Sequence, residues 1–197
     1  MWIDACENGS QARLIFTHHP QRKLHEVHYA RCVASLEDKI VQKAVVEILN
    51  AIYEERFLGF SYGFRPGRGQ HDALDALAVG LTKQSVGWVL DADIAAFFDT
   101  VDHNWLIRFL EHRIGDRRMI RLIAKWLKAG VLEEGRITKV EAGTPQGAVI
   151  SPCLSNIFLH HVLDERFEHE VRPRLAGRCT LVRFADDAHD RRACSMG

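Results

Sequence analysis

The chain has 197 residues, with 26 basic and 26 acidic side chains and a formal net charge of +0. Apolar residues at 47% and charged residues at 26% supply one folded domain of ordinary size; they exclude a disordered chain, and the even charge balance excludes a uniformly basic nucleic-acid coat while leaving a local basic groove open. The cysteines Cys6, Cys32, Cys153, Cys179 and Cys194 are odd in number and never at CxxC spacing, so neither a disulfide framework nor a zinc ribbon is indicated and a reduced, cytoplasmic protein is expected.

Residues 1–34 hold His18, His19, His25 and His28 without a sustained period. No histidine pair there falls on a helix with an acidic partner, so the segment reads as an irregular leader rather than a metal site. It also lacks the continuous apolar stretch of a secretory signal, and no run anywhere reaches the roughly 18 apolar residues of a membrane helix. Ser35 with Asp38 is a capping box. Ile40, Val41, Ala44, Val45, Ile48, Leu49, Ile52 and Tyr53 then recur at helical spacing and predict a helix to about residue 57. Gly59, Gly63, Pro66, Gly67 and Gly69 predict a loop, in which Arg65 and Arg68 offer guanidinium forks suited to phosphate, though a tight turn accounts for the stretch equally well. His71 to Lys83 reads as a second helix with Leu74, Leu77, Ala78 and Leu81 on one face.

Gly87 to Ile94 is a short apolar run interrupted by Asp91 and Asp93, a buried strand ending in acid. Helices follow over His103–Arg113, with Asp102 as N-cap, and over Asp116–Ala129, closed by Gly130. Arg136–Val140 reads as a short strand and Gly143–Gly147 as a turn. Ser151-Pro152 opens a long helix to Phe167, and Cys179–Ala185 is a β-rich run that delivers Asp186-Asp187. The order predicts an α+β domain, a small antiparallel sheet packed on helices. His189-Asp190-Arg191-Arg192 lacks the alternation of a returning strand, so 188–197 reads as a non-native tail after a domain spanning 35–187.

Charge is segregated. From Gln84 to Ile107 there are four acids, Asp91, Asp93, Asp99 and Asp102, and no Lys or Arg. A carboxylate at the end of an apolar strand is costly unless it is paired or holds a cation, and adjacent Asp186 and Asp187 repel each other unless a cation relieves them. Hard divalent ions take such oxygens, so Asp93 with Asp186-Asp187 suits a pair of metal ions about 3.5–4 Å apart. Arg113, Arg117, Arg118, Arg121, Lys125 and Lys128 cluster against one acid, Asp116; a solvated face and a phosphate track account for them equally well.

The ordered series SLEDKIVQKAVVEIL (35–49), SYGFRPGRGQHDAL (61–74), DADIAAFFDTVDH (91–103), GTPQGAVISPCLSNIFLHHVLD (143–164) and LVRFADD (181–187) resembles the fingers and palm of group II intron-encoded reverse transcriptases. The resemblance implies a right-hand polymerase fold, here without the thumb, that copies an RNA template onto a DNA primer from deoxynucleotide triphosphates with two Mg²⁺ ions. It implies Asp93, Asp186 and Asp187 as the catalytic, metal-binding carboxylates, with Phe184 where the family box has Tyr, and the Ile94 carbonyl as a further ligand. It makes Phe98 the bulky residue that excludes a ribose 2′-OH, puts Gln146 and Gly147 under the template-primer pair, and turns Arg65 and Lys39 toward template or triphosphate. The alternative it allows is a truncated chain that binds intron RNA and assists splicing without synthesis; a chain that does not fold alone is the third reading.

Overall fold

The computed structural model describes residues 35–83, 88–94, 97–128, 131–133, 136–138, 143–144, 148–175 and 178–193. Ser35 caps α1 (Leu36–Tyr53): its hydroxyl accepts the Asp38 N–H at 3.2 Å and also contacts the Asp38 carboxylate. The buried face of α1 is Gln42, Val45, Val46, Leu49 and Tyr53, not the whole predicted stripe. Ile40, Val41 and Ile48 lie on the exposed side, whereas Gln42 is buried because its Oε1 accepts the Val149 N–H at 2.9 Å. The α2 helix (Gln70–Lys83) is amphipathic in sequence but buries only Ala73 among its residues, and Leu74 and Leu81 stay about half exposed.

β1 (Trp88–Asp93) leads through a one-turn α3 (Phe97–Thr100) to α4 (His103–Glu111) and α5 (Arg117–Leu127). Asp102 caps α4 through the N–H groups of Asn104 and Trp105, and Asp116 caps α5 through that of Arg118. α5 turns Ile120, Ile123, Trp126 and Leu127 inward and exposes Arg117, Arg118, Arg121 and Lys125. A small hairpin of β2 (Val131–Glu133) and β3 (Arg136–Thr138) follows, its first strand unforeseen in sequence. α6 (Ser151–Leu159), with Pro152 in its first turn, runs on through wide π-helical turns at His160–Asp164 and Phe167–Val171 and a 3₁₀ turn at Arg172–Arg174. None of the described helices is long and apolar enough to cross a membrane.

The core lies between α1, α4, α5 and α6, where Leu49, Leu106, Leu110, Ile123, Leu154 and Ile157 have no exposed surface. Each such side chain contributes about 1.5–3 kcal/mol by leaving water. Tyr53 is buried there as a donor: its hydroxyl reaches the Phe109 carbonyl at 3.1 Å, and burial pushes its pKa up to about 12. Burial likewise pushes the Cys153 thiol up to about 12, so it packs as a small apolar group rather than a nucleophile.

β4 (Arg178–Phe184) and β5 (Asp187–Ala193) complete a three-stranded antiparallel sheet in the order β1-β5-β4. Here the structure departs from the expected tail, because residues 187–193 form the central strand. A central strand is held by backbone hydrogen bonds on both edges, and those bonds do not depend on the side-chain alternation missing from His189 to Arg192. The outer edge of β4 is met by the loop after α1: the Tyr62 N–H donates to the Arg183 carbonyl and the Arg183 N–H to the Phe60 carbonyl, each at 2.9 Å. That contact covers a ladder otherwise open to another chain.

Candidate active site

The antiparallel register sets Asp93, the last residue of β1, directly across from Asp187, the first of β5. Asp186 precedes it in the two-residue turn between β4 and β5, where it is half-buried. Two acidic segments about ninety positions apart thus meet at one end of one sheet.

The turn that carries Asp186 is strained. Ala185 has φ 56°, a left-handed conformation that glycine adopts freely and a residue with a Cβ adopts at a cost of about 1–2 kcal/mol. Arg183 holds it there. Its side chain has no exposed surface and uses all five N–H donors: Nε and Nη2 clamp the two Asp164 oxygens at 2.8 and 2.7 Å, Nη2 also reaches Ser61 Oγ at 2.6 Å, and Nη1 bonds Asn156 Oδ1 at 3.3 Å and the Ala185 carbonyl at 2.7 Å. Asp164 is equally buried, and a charge so placed is stable only in a fully bonded pair. None of this cluster was singled out from sequence. The available signal was an arginine inside the apolar run LVRFA.

The glycine loop presses on the same turn from the other side. Gly63 donates no side chain, and a Cβ there would meet the Ala185 N at 2.2 Å; Asn156 Nδ2 fixes its carbonyl at 2.6 Å. Gly63→Ala is expected to cost about 1–3 kcal/mol by overpacking against backbone. A urea titration checks it, and an unchanged midpoint would show that the loop bears no load on the Ala185 turn.

Arg65 requires a correction. Expected to face template or triphosphate, it is buried, with Nε and Nη2 on the Glu54 carboxylate, Nη1 on the Leu58 and Ser61 carbonyls, and its guanidinium over the Phe57 ring at 5.1 Å. Its fork ties the loop to the end of α1 and is not free for a phosphate. Lys39 is exposed on α1. Ile94 is half-buried, and its carbonyl already accepts the Phe97 N–H at 3.2 Å, with a second lone pair left over.

Phe98 packs edge-on against Phe97, ring centres 5.4 Å apart. Its carbonyl accepts the Thr144 N–H at 2.6 Å, the Gly143 N–H reaches the Val101 carbonyl at 2.8 Å, and the His103 ring contacts the Gly143 carbonyl through Nε2. Gly143, at φ 95°, therefore turns the chain hard against the segment that bears Phe98. Gln146 and Gly147 lie outside the described residues.

The family profile described as "Reverse transcriptase (RNA-dependent DNA polymerase)" matches residues 25–189. The group II intron-encoded protein LtrA of Lactococcus lactis subsp. cremoris is 40% identical over 152 residues, 73% of this chain and 24% of its own. An uncharacterized 91 kDa protein in the cob intron of Schizosaccharomyces pombe is 44% identical over 137 residues, 70% of this chain and 17% of its own. The chain thus spans about a quarter or less of the length of these two relatives. Among solved structures, telomerase from Candida albicans in complex with a fragment of telomeric RNA superposes with a TM-score of 0.58 at 12% identity, over 79% of this chain and 30% of that one, a likeness of fold alone.

Proposed function

We propose a reaction for a chain that belongs to the reverse transcriptase (RNA-dependent DNA polymerase) family: extension of a DNA primer along an RNA template by nucleotidyl transfer at two Mg²⁺ ions, the RNA being that of a group II intron or a related element. The observation that carries this reading is the register that faces Asp93 with Asp187 beside the Asp186 turn. Directly opposed residues of an antiparallel pair share a face of the sheet, which supports Asp93, Asp186 and Asp187 as a shared set of ligands for one pair of divalent ions. When bound, the ions lower the charge of the triphosphate and activate the primer 3′-OH. What the chain supplies is the placement: Asp93, Asp186 and Asp187 as ligands, with the spare lone pair of the Ile94 carbonyl beside them.

Phe98 is proposed as the steric gate against a ribose 2′-OH, Gln146 and Gly147 as the floor under the template-primer pair, and Lys39 as a charge toward the incoming strand or triphosphate. The anchoring of Gly143-Thr144 beside Phe98 supports keeping gate and floor in one neighbourhood. Primer extension on RNA, with deoxy- and ribonucleotides in parallel, tests the reading. Wild type is expected to extend with deoxynucleotides only when Mg²⁺ is present, and Phe98→Ala to lower the deoxy-to-ribo preference at least about tenfold, ~1.4 kcal/mol. The preference is a ratio and is insensitive to the folded fraction. Salt-dependent RNA binding without any extension would instead support the splicing-assistant alternative, and an unchanged preference would remove Phe98 from the gate.

A further inference from the structure

The helix that continues α6 has a second cluster, on residues the polymerase reading does not use. In its π-helical turn the Glu165 N–H bonds back to the His160 carbonyl, five residues away rather than four. The widened turn brings His160 and Glu165 onto one face, and ordinary four-residue spacing brings His161 there too. His160 Nε2 lies 3.4 Å from one Glu165 oxygen and His161 Nδ1 lies 3.0 Å from the other. One donor atom from each of the three residues falls within 4.8 Å of the others.

Donors bound at about 2.0–2.1 Å around a tetrahedral ion stand about 3.3 Å apart, and the three donor atoms here all lie within 4.8 Å of one another. His160 is the second, independent sign. It is 2% exposed, wedged between the Phe57 ring and His161, and neither ring nitrogen has a hydrogen-bond partner. Buried polar atoms are nearly always satisfied, so an unpartnered imidazole beside a carboxylate leaves a ligand to be explained. Glu165 is a third exposed, so solvent reaches the cluster. Arg56 stands 3.9 Å from the same carboxylate, but it is half exposed and free to swing outward when a cation enters.

We propose that His160, His161 and Glu165 bind one divalent transition-metal ion, Zn²⁺ by preference, with a water completing the tetrahedron. Two imidazole nitrogens select a borderline ion over Mg²⁺, which demands oxygen ligands, so this site is chemically separate from the one at Asp93 and Asp186. Its occupant would lock the wide turn that also carries Asp164.

The test uses the full chain without tag histidines, stripped with a chelator and titrated with Zn²⁺ by calorimetry and thermal melting, and with Co²⁺ as a spectroscopic probe. One equivalent of Zn²⁺ is expected to bind and raise the melting temperature. Glu165→Gln and His161→Gln are expected to weaken binding at least tenfold, whereas a variant with His18, His19, His25 and His28 all changed to Gln keeps it. Should either site variant fail to fold, paramagnetic shifts of the His160 and His161 ring protons in the Co²⁺-loaded wild type decide in its place. The proposal is overturned by absence of stoichiometric binding, by affinity indifferent to Glu165 and His161, by binding that vanishes with the four leader histidines, or by unshifted ring protons.

Discussion

Arg183→Met is expected to destabilise the protein by about 3–5 kcal/mol, because it strips the partner from a carboxylate with no exposed surface. Asp164 would be left buried without its partner, and Ser61, Asn156 and the Ala185 carbonyl would each lose a bond. Chemical denaturation measures the loss directly. The double change Arg183→Met with Asp164→Leu separates two roles. Replacing both charges of a buried pair by apolar groups is often neutral for stability, so the fold is expected to recover most of the loss. Extension activity is not expected to recover, since nothing then holds the left-handed Ala185 carbonyl against the strain of its turn. Recovery of both would mean that Arg183 serves the core alone.

Asp93→Asn and Asp186→Asn are expected to lower single-nucleotide incorporation on the order of 10³-fold or more, equivalent to about 4 kcal/mol of transition-state stabilisation. An amide keeps the shape of the side chain and removes the negative charge that a hard cation requires. Stability should hold or rise in both, because clustered carboxylates repel each other when no cation is bound. Asp102→Asn is the matched control: Asn caps a helix as well as Asp does, and Asp102 serves the α4 N-terminus rather than the sheet. Pre-steady-state incorporation with Mg²⁺ in excess reads the difference. Wild-type rates in Asp93→Asn would remove that residue from the reaction centre.

What could be read from the sequence was local. Ser35 and Asp102 announced helix starts within their own next three residues, and each forms the cap, as Asp116 does for α5. The strands ending in Asp93 and Asp187's neighbour Phe184 were legible as apolar runs, because burial on a sheet leaves that mark. What escaped depends on partners far along the chain. Ser61 and Arg183 are 122 positions apart and bonded, Gln42 and Val149 are 107 apart, and no periodicity encodes either meeting. Arg65 misled for a related reason: a guanidinium in a glycine-rich loop is equally suited to phosphate and to carbonyls, and only the fold decides which comes within reach. The central position of β5 was hidden because its pairing is written in backbone rather than side chains.

The facing of Asp93 and Asp187 makes strand alignment itself a determinant of the proposed site. Sheet side chains alternate, so sliding β1 along β5 by one residue would put Ala92 or Ile94 opposite Asp187 and invert every side chain of the strand. Loss or gain of a single codon within residues 88–93 is thus a different kind of event from the same change near the β2–β3 hairpin, whose strands pair with no other strand among the described residues. The first would abolish the juxtaposition of acids; the second would lengthen or shorten a two-stranded ribbon.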